Sequence, residues 1–209
     1  MYVSQSKIEE TIKIFQEHYG VMRTSEVLDA GIHERTLYHM RDEGMVTPIQ
    51  RGVYKLTESD TLSNPDLVIV AKKIPEARIC LISALSIHEM TDEIPHKVHI
   101  ALPRSSWQPK LDYPPLQVYR FSEKTISSGL ETQTIDGVEV KIFNPAKTIA
   151  DCFKFRNKIG LDVVIEALKR GIYEGKATYK DIFKYSEMCR VKNVITPYCS
   201  ALGNSQTNH

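Results

Sequence analysis

Between Thr24 and Leu56 the sequence reads TSEVLDAGIHERTLYHMRDEGMVTPIQRGVYKL, and three glycines, Gly31, Gly44 and Gly52, punctuate it. The segments they leave are too short for anything but two brief helices and a small hairpin. Gly31 supplies the left-handed residue that stops the first helix, Gly44 closes the second, and Gly52 marks tight backbone near the hairpin tip. Helix, turn, helix and hairpin in that order outline a winged helix-turn-helix, a unit whose second helix is shaped for the DNA major groove.

The flanking sequence fits this outline. Ile8, Ile12 and Phe15 fall at i, i+4 and i+7, one face of a preceding helix that Tyr19-Gly20 ends. Thr24 is the expected cap of the next helix, with Val27 and Leu28 facing the core. The recognition helix is expected from about Glu34 to Glu43. His33 stands at its cap, where Ser, Thr, Asp or Asn is preferred, and this leaves the helix start open. Val46–Ile49 and Gly52–Leu56 are the expected strands around a tip at Gln50-Arg51. Thr57–Pro65 is polar and turn-rich, so the first domain is expected over 1–57.

The remainder reads as a second domain over 66–202. Leu67–Ile74 and Ser83–Met90 have helical character, and Lys97–Leu102, Leu116–Phe121 and Val138–Phe143 alternate or are β-branched, as strands are. Pro103–Pro115 is a proline-rich loop with the only tryptophan, Trp107. Helices are expected over Pro145–Phe155, Leu161–Glu174 and Thr178–Met188, the last begun by a Thr178/Asp181 capping pair, with a final helix ending near Leu202. The polar stretch 203–209 is expected to be a disordered tail. The predicted fold class is therefore α+β: a winged helix-turn-helix, then a mixed α/β domain ending in a helical block.

Composition excludes several classes. The chain has 209 residues, 42% hydrophobic and 25% charged, an ordinary globular balance. Its apolar runs are too short to span a bilayer, and Met1–Ser6 lacks a secretory pattern. Cys80, Cys152, Cys189 and Cys199 are scattered, without a C-x-x-C pair, and read as buried reduced thiols. A cytoplasmic protein with no membrane partner is the expectation. Net charge is only +1, but its distribution is uneven. Seven basic residues face nine acidic ones up to Glu58, whereas eleven face six from Pro145 onward. The excess is either a phosphate-facing surface or a solvated helical face.

On a helical wheel Leu37 and Met40 face the core, while Arg35, Tyr38, His39 and Asp42 gather opposite, with Thr36 on the flank. Arginine can pair bidentately with guanine, and Thr36, Tyr38 and His39 can bond base edges or phosphates. Arg51 at the wing tip and Lys55 behind it are placed for the DNA backbone or minor groove. These six are the candidate DNA-binding residues. Lys154, Arg156, Lys158, Arg190 and Lys192 are candidates for additional nucleic-acid contacts.

Several stretches stand out together. In the N-terminal block they are Gly31-Ile32, Thr36-Leu37-Tyr38, Gly44-Met45-Val46 and Arg51-Gly52-Val53-Tyr54. Beyond it they are Ser83-Ala84-Leu85 with His88, the run Asn144 to Asp151, Arg156 to Asp162, Glu166-Ala167-Leu168, Arg190-Val191 and Pro197-Tyr198. In these stretches the chain resembles the AbiEi-type antitoxins. The resemblance implies a DNA-binding autorepressor that binds inverted repeats in its own promoter. It also implies an antitoxin of a type IV system linked to abortive phage infection, opposing a nucleotidyltransferase-like toxin without a stable complex. The N-terminal domain would read DNA, the C-terminal domain would carry antitoxin activity, and no cofactor is implied.

Other chemistry is weaker. Glu139 and Lys141 share one face of a strand, as in the metal-binding end of a PD-(D/E)xK nuclease, but Asp112 is the only further acid in reach and lies in the proline-rich loop. His88, His96 and His99 lack ligand spacing, and Ser83 reads as a cap rather than a nucleophile. No phosphate loop or dinucleotide fingerprint is present. The chain is expected not to be an enzyme. The rival reading is a ligand-sensing regulator with Trp107 and the strands lining a pocket.

Overall fold

The structure, a computed structural model, describes residues 3–59 and 62–206. It divides into two compact units: 1–76 with 111–114 and 133–140, and the remainder. The first unit runs α1 (Gln5–Glu17), β1 (Val21–Arg23), α2 (Thr24–Asp29), α3 (Glu34–Asp42), β2 (Val46–Gln50), β3 (Val53–Leu56) and α4 (Pro65–Lys73).

The three strands form an antiparallel sheet in the order β1-β3-β2, with Met22 opposite Tyr54 and Val46 opposite Leu56. Alternation sends these four side chains to one face, where they join Phe15, Val27, Leu37 and Met40 from the three helices. The other face carries Val21 and Val53, which pack with Val68 of α4. Strand β1 was not expected: three residues are too few to display alternation, and its place is set by pairing with β3. Leu28, expected in the core, is 46% exposed, because only Val27 of that pair turns inward.

The expected boundary in Thr57–Pro65 also needs correction. Helix α4 belongs to the first unit, since the sheet's second apolar face requires a cover. Asp60 and Thr61, inside that stretch, lie outside the described residues. Glu26 of α2 and Lys72 of α4 form an ion pair at 3.0 Å, and the Glu26 carboxylate also accepts from the Arg23 backbone N–H at 2.8 Å. Burial works to raise the Glu26 pKa, but these two partners more than offset it and hold it below its ordinary value.

In the second unit the elements are β4 (Arg78–Ile79), α5 (Leu81–Ile87), β5 (Val98–Pro103), β6 (Leu116–Phe121), α6 (Glu123–Ile126), β7 (Leu130–Ile135), β8 (Val138–Phe143), α7 (Pro145–Lys154), α8 (Arg156–Ile159), α9 (Leu161–Tyr173), α10 (Tyr179–Cys189) and α11 (Lys192–Gln206). The strands form a mixed sheet in the order β6-β5-β4-β8-β7. The turn end of the β7–β8 hairpin is grouped with the first unit. Asp136 and Gly137 at that turn both have positive φ, the backbone of a two-residue hairpin turn. The expected disordered tail is corrected in part: α11 continues to Gln206, and 207–209 lie outside the described residues.

Helix α7 is central to this unit. Asn144 caps it, its side-chain oxygen accepting from the Lys147 backbone N–H at 2.8 Å, and Pro145 opens its first turn. Every residue from Ala146 to Phe153 is buried, Lys147 and Asp151 included. Lys147 and Asp151 pair across one helical turn in the core. The Cys189 thiol donates to the other Asp151 oxygen at 3.1 Å, and the Lys147 ammonium lies 4.4 Å from the Phe143 ring centre. Burial pushes the Asp151 pKa up, and Lys147 and Cys189 offset only part of this.

Two outcomes follow for stability. Asp151→Ala leaves Lys147 buried and unpaired, so urea unfolding followed by circular dichroism should show a loss of about 3–5 kcal/mol, while K147M/D151L together should recover most of it. Glu26, with a depressed pKa, stabilises the fold above its unfolded value near 4.5, and that contribution is lost as pH falls through the lower folded value. The acid limb of a melting-temperature profile should therefore be shallower in Glu26→Gln than in wild type.

Candidate nucleic-acid interface

Helix α3 starts where His33 ends. The His33 ring nitrogen Nδ1 accepts from the Arg35 backbone N–H at 3.0 Å, the service an Asn or Asp oxygen usually performs. The first helical residue is therefore Glu34, which settles the start that the sequence left open. Gly44, with φ +73°, follows the last turn.

The inner face of α3 buries Leu37, Met40 and Thr36. Thr36 must be withdrawn from the expected contacts: it is 5% exposed. It and Met40 are four residues apart, about 40° on the wheel, so both turn to the core. The outer face presents Arg35, Tyr38 and Asp42, with His39 at one flank and Glu34 and Arg41 at the other. Arg35 is exposed, and Tyr38 and His39 are half-buried. Several of these groups already engage one another. The Tyr38 hydroxyl donates to the Glu34 carboxylate, and Arg41 donates twice to Asp42, at 2.9 and 2.7 Å, with its guanidinium 4.8 Å from the Tyr38 ring centre.

Arg51 is exposed at the β2–β3 turn, as expected of a wing tip. The turn is short and held from behind: Lys73 donates to the Arg51 carbonyl, and the Gln50 amide donates to the Tyr113 carbonyl at 2.9 Å. Gly52, with φ +71°, makes the return possible. Lys55 is a second correction. Strand alternation puts it on the Val53 face, away from α1–α3, and its ammonium donates to the Ser59 carbonyl at 2.8 Å.

In the second unit, Lys154, Arg156 and Lys158 come together at the α7–α8 junction. Lys154 and Lys158 lie over the Phe155 ring at 5.7 and 6.0 Å, and Arg156 donates to the Phe153 carbonyl at 2.9 Å. Arg190 adopts a left-handed conformation at the end of α10. Lys192 pairs with Glu187 at 2.5 Å, with both side chains half exposed, so its charge is already partly answered.

Charge divides between the units more sharply than between the chain's ends. The first unit holds nine basic and fifteen acidic residues, the second eighteen and eleven. The continuous sequence hid this because 111–114 and 133–140 add only acids to the first unit.

The remaining candidates take structural roles. The Ser83 hydroxyl accepts from the His99 backbone N–H at 2.9 Å, and burial holds the His99 pKa down at about 4. The His88 Nε2 lies 2.8 Å from the Phe143 carbonyl. Among the described residues no three His, Cys, Asp or Glu side chains converge as metal ligands. Trp107 is 90% exposed, against the ligand-pocket expectation for it. All four cysteines are free and buried. No helix among the described residues is long and apolar enough to cross a membrane.

The order α1-β1-α2-α3-β2-β3, with β3 central, is that of a winged helix-turn-helix. Residues 9–57 match the family model described as "Transcriptional regulator, AbiEi antitoxin". The likeness to that family is confined to these residues. The matched segment contains the whole of α2, α3 and the wing. A solved structure, "Crystal structure of RV2827C protein from Mycobacterium tuberculosis", has a TM-score of 0.57 over 88% of this chain and 72% of that chain, at 11% identity. That likeness concerns the fold alone. No curated protein matches the chain.

The cap assignment can be checked directly. His33→Ala should lower stability by about 1 kcal/mol, while His33→Asp should preserve it, as read by thermal unfolding. Equal losses in both variants would contradict a capping role for the ring nitrogen.

Proposed function

We propose that this protein is a DNA-binding autorepressor and antitoxin, and that the outer face of α3 enters the major groove of its operator. The observation that carries the reading is the AbiEi-type winged helix with Arg35 exposed at the first turn of α3. In this reading Arg35 pairs with a base edge, His39 and Tyr38 bond bases or phosphates, and Arg51 meets the backbone or minor groove.

The first unit has an excess of six acidic residues over basic ones, so it gains little from bulk electrostatics. We therefore assign part of the phosphate attraction to Lys154, Arg156, Lys158 and Arg190. The family resemblance supports the finer biology. The operator would be inverted repeats in the protein's own promoter, within a type IV abortive-infection system. The opposed toxin would be nucleotidyltransferase-like, countered without a stable complex.

Fluorescence anisotropy with the duplex directly upstream of the gene and a scrambled duplex tests this. Arg35→Ala should cost about 1–3 kcal/mol on the upstream duplex and little on the scramble. Thr36→Val should leave both affinities unchanged. Neutralising Lys154, Arg156 and Lys158 to glutamine should flatten the slope of log affinity against log salt by about 2–3. Equal losses on both duplexes for Arg35→Ala would overturn the base-reading role.

A further inference from the structure

Two side-chain donors flank Gly52 beside the wing tip. The Lys73 ammonium, which holds the Arg51 carbonyl, lies 3.4 Å from the point where a Cβ on Gly52 would stand. The Thr24 hydroxyl lies 3.5 Å from the same point, so the two donors are at most about 7 Å apart. A single phosphate can bridge that span, its oxygens accepting at about 2.8 Å from each donor. The backbone fixes the arrangement, because the Thr24 N–H donates to the Gly52 carbonyl at 3.1 Å. Thr24, Gly52 and Lys73 are half-buried and Arg51 is exposed, so the place is not enclosed.

Both donors have capacity to spare. Thr24 was expected to cap α2, but Arg23 stands at the cap, and the Thr24 hydroxyl has no hydrogen-bond partner among the described residues. An ammonium carries three N–H donors, of which the Arg51 carbonyl takes one. Burial lowers the Lys73 pKa, and the positive charges of Arg23 and Arg51 lower it further. Glu26 does not relieve this crowding: Arg23 lies 3.6 Å from its carboxylate and Lys72 3.0 Å. Lys73 and Arg51 have no carboxylate partner among the described residues. Two cations left unpaired, in a unit with six more acidic than basic residues, leave room for an anion from outside it.

We infer that Lys73 and Thr24, with the Arg51 side chain, form a seat for one backbone phosphate of the bound duplex. The Lys73 ammonium donates to one phosphate oxygen and the Thr24 hydroxyl to another, over a residue with no side chain in the way. Helix α4 is then part of the DNA interface, although Lys73 lies beyond the residues 9–57 that match the family model. The inference rests on the DNA-binding reading above and adds a contact that neither the recognition helix nor the wing alone supplies. Lys72, the next residue back along α4, has no such role, because its ammonium is taken by Glu26.

The test is a salt series of anisotropy titrations on the full chain, with the upstream and the scrambled duplex. K73Q should flatten the slope of log affinity against log salt by about one on both duplexes, and K73R should restore it. T24V should weaken binding about threefold or more with the slope unchanged, since a hydroxyl releases no counterion. K72Q should leave the slope as in wild type. A K73Q protein that binds less tightly with an unchanged slope would overturn the seat, because Lys73 would then only brace the Arg51 carbonyl. Equal flattening in K72Q would overturn it too, as an effect of net charge. Either result with the preference for the upstream duplex intact leaves the reading of α3 standing. Loss of that preference with the K73Q slope change intact would remove the base reading and keep the seat, and binding to neither duplex would remove both.

Discussion

Strand β3 is the constraint on which the first unit depends. It is hydrogen-bonded on both edges, so its side chains have only two directions to take, and both are used. Tyr54 and Leu56 go to the core beneath α1–α3, and Val53 goes to the side that α4 covers. The first direction seats α3 with Leu37 and Met40 down, which is what leaves Arg35 outward. The second draws α4 into the unit and places Lys55 on the side of the sheet away from α3. The wing tip is then a two-residue return, Arg51-Gly52, with Lys73 of α4 holding its carbonyl. One strand thus relates the recognition helix, the wing and the helix behind them.

The second unit is organised around a different compromise. Helix α7 is buried along almost its whole length, yet it carries a lysine and an aspartate. Both charges are tolerable because they meet each other, a thiol and two aromatic faces, Phe121 and Phe143. Such a pair contributes less to net stability than an apolar pair of the same volume could, but removal of either partner is costly. The two ions constrain how α7 and α10 can pack, because Asp151 must find both Lys147 and Cys189.

Much of this was legible in the sequence where a residue's role is local. Gly31, Gly44 and Gly52 marked the turns, Thr178 with Asp181 marked the start of α10, and the three longer expected strands were found close to their limits. What was not legible depended on distant partners. Strand β1 exists because β3 needs a neighbour, and β4 because two longer strands flank it. Thr36 reads as polar and outward until Met40 is seen beside it on the core side. Lys55 looks like a wing cation until the strand's alternation is anchored by Val53. His33 is an unusual cap by residue type, yet its ring nitrogen has the geometry required. The acidity of the first unit could not be read from a contiguous window, since part of it comes from segments far along the chain.

The proposed role of α3 is that its outer face reads DNA. The most direct measurement is an NMR titration of the full chain with the upstream duplex, following backbone amides and the Arg35 and Arg51 side-chain resonances. If α3 and the wing read DNA, the largest shifts fall at 34–43 on the outward positions and at 50–52, saturating with the upstream duplex and not with a scramble. Shifts absent from α3 and the wing, or identical for both duplexes, would contradict it.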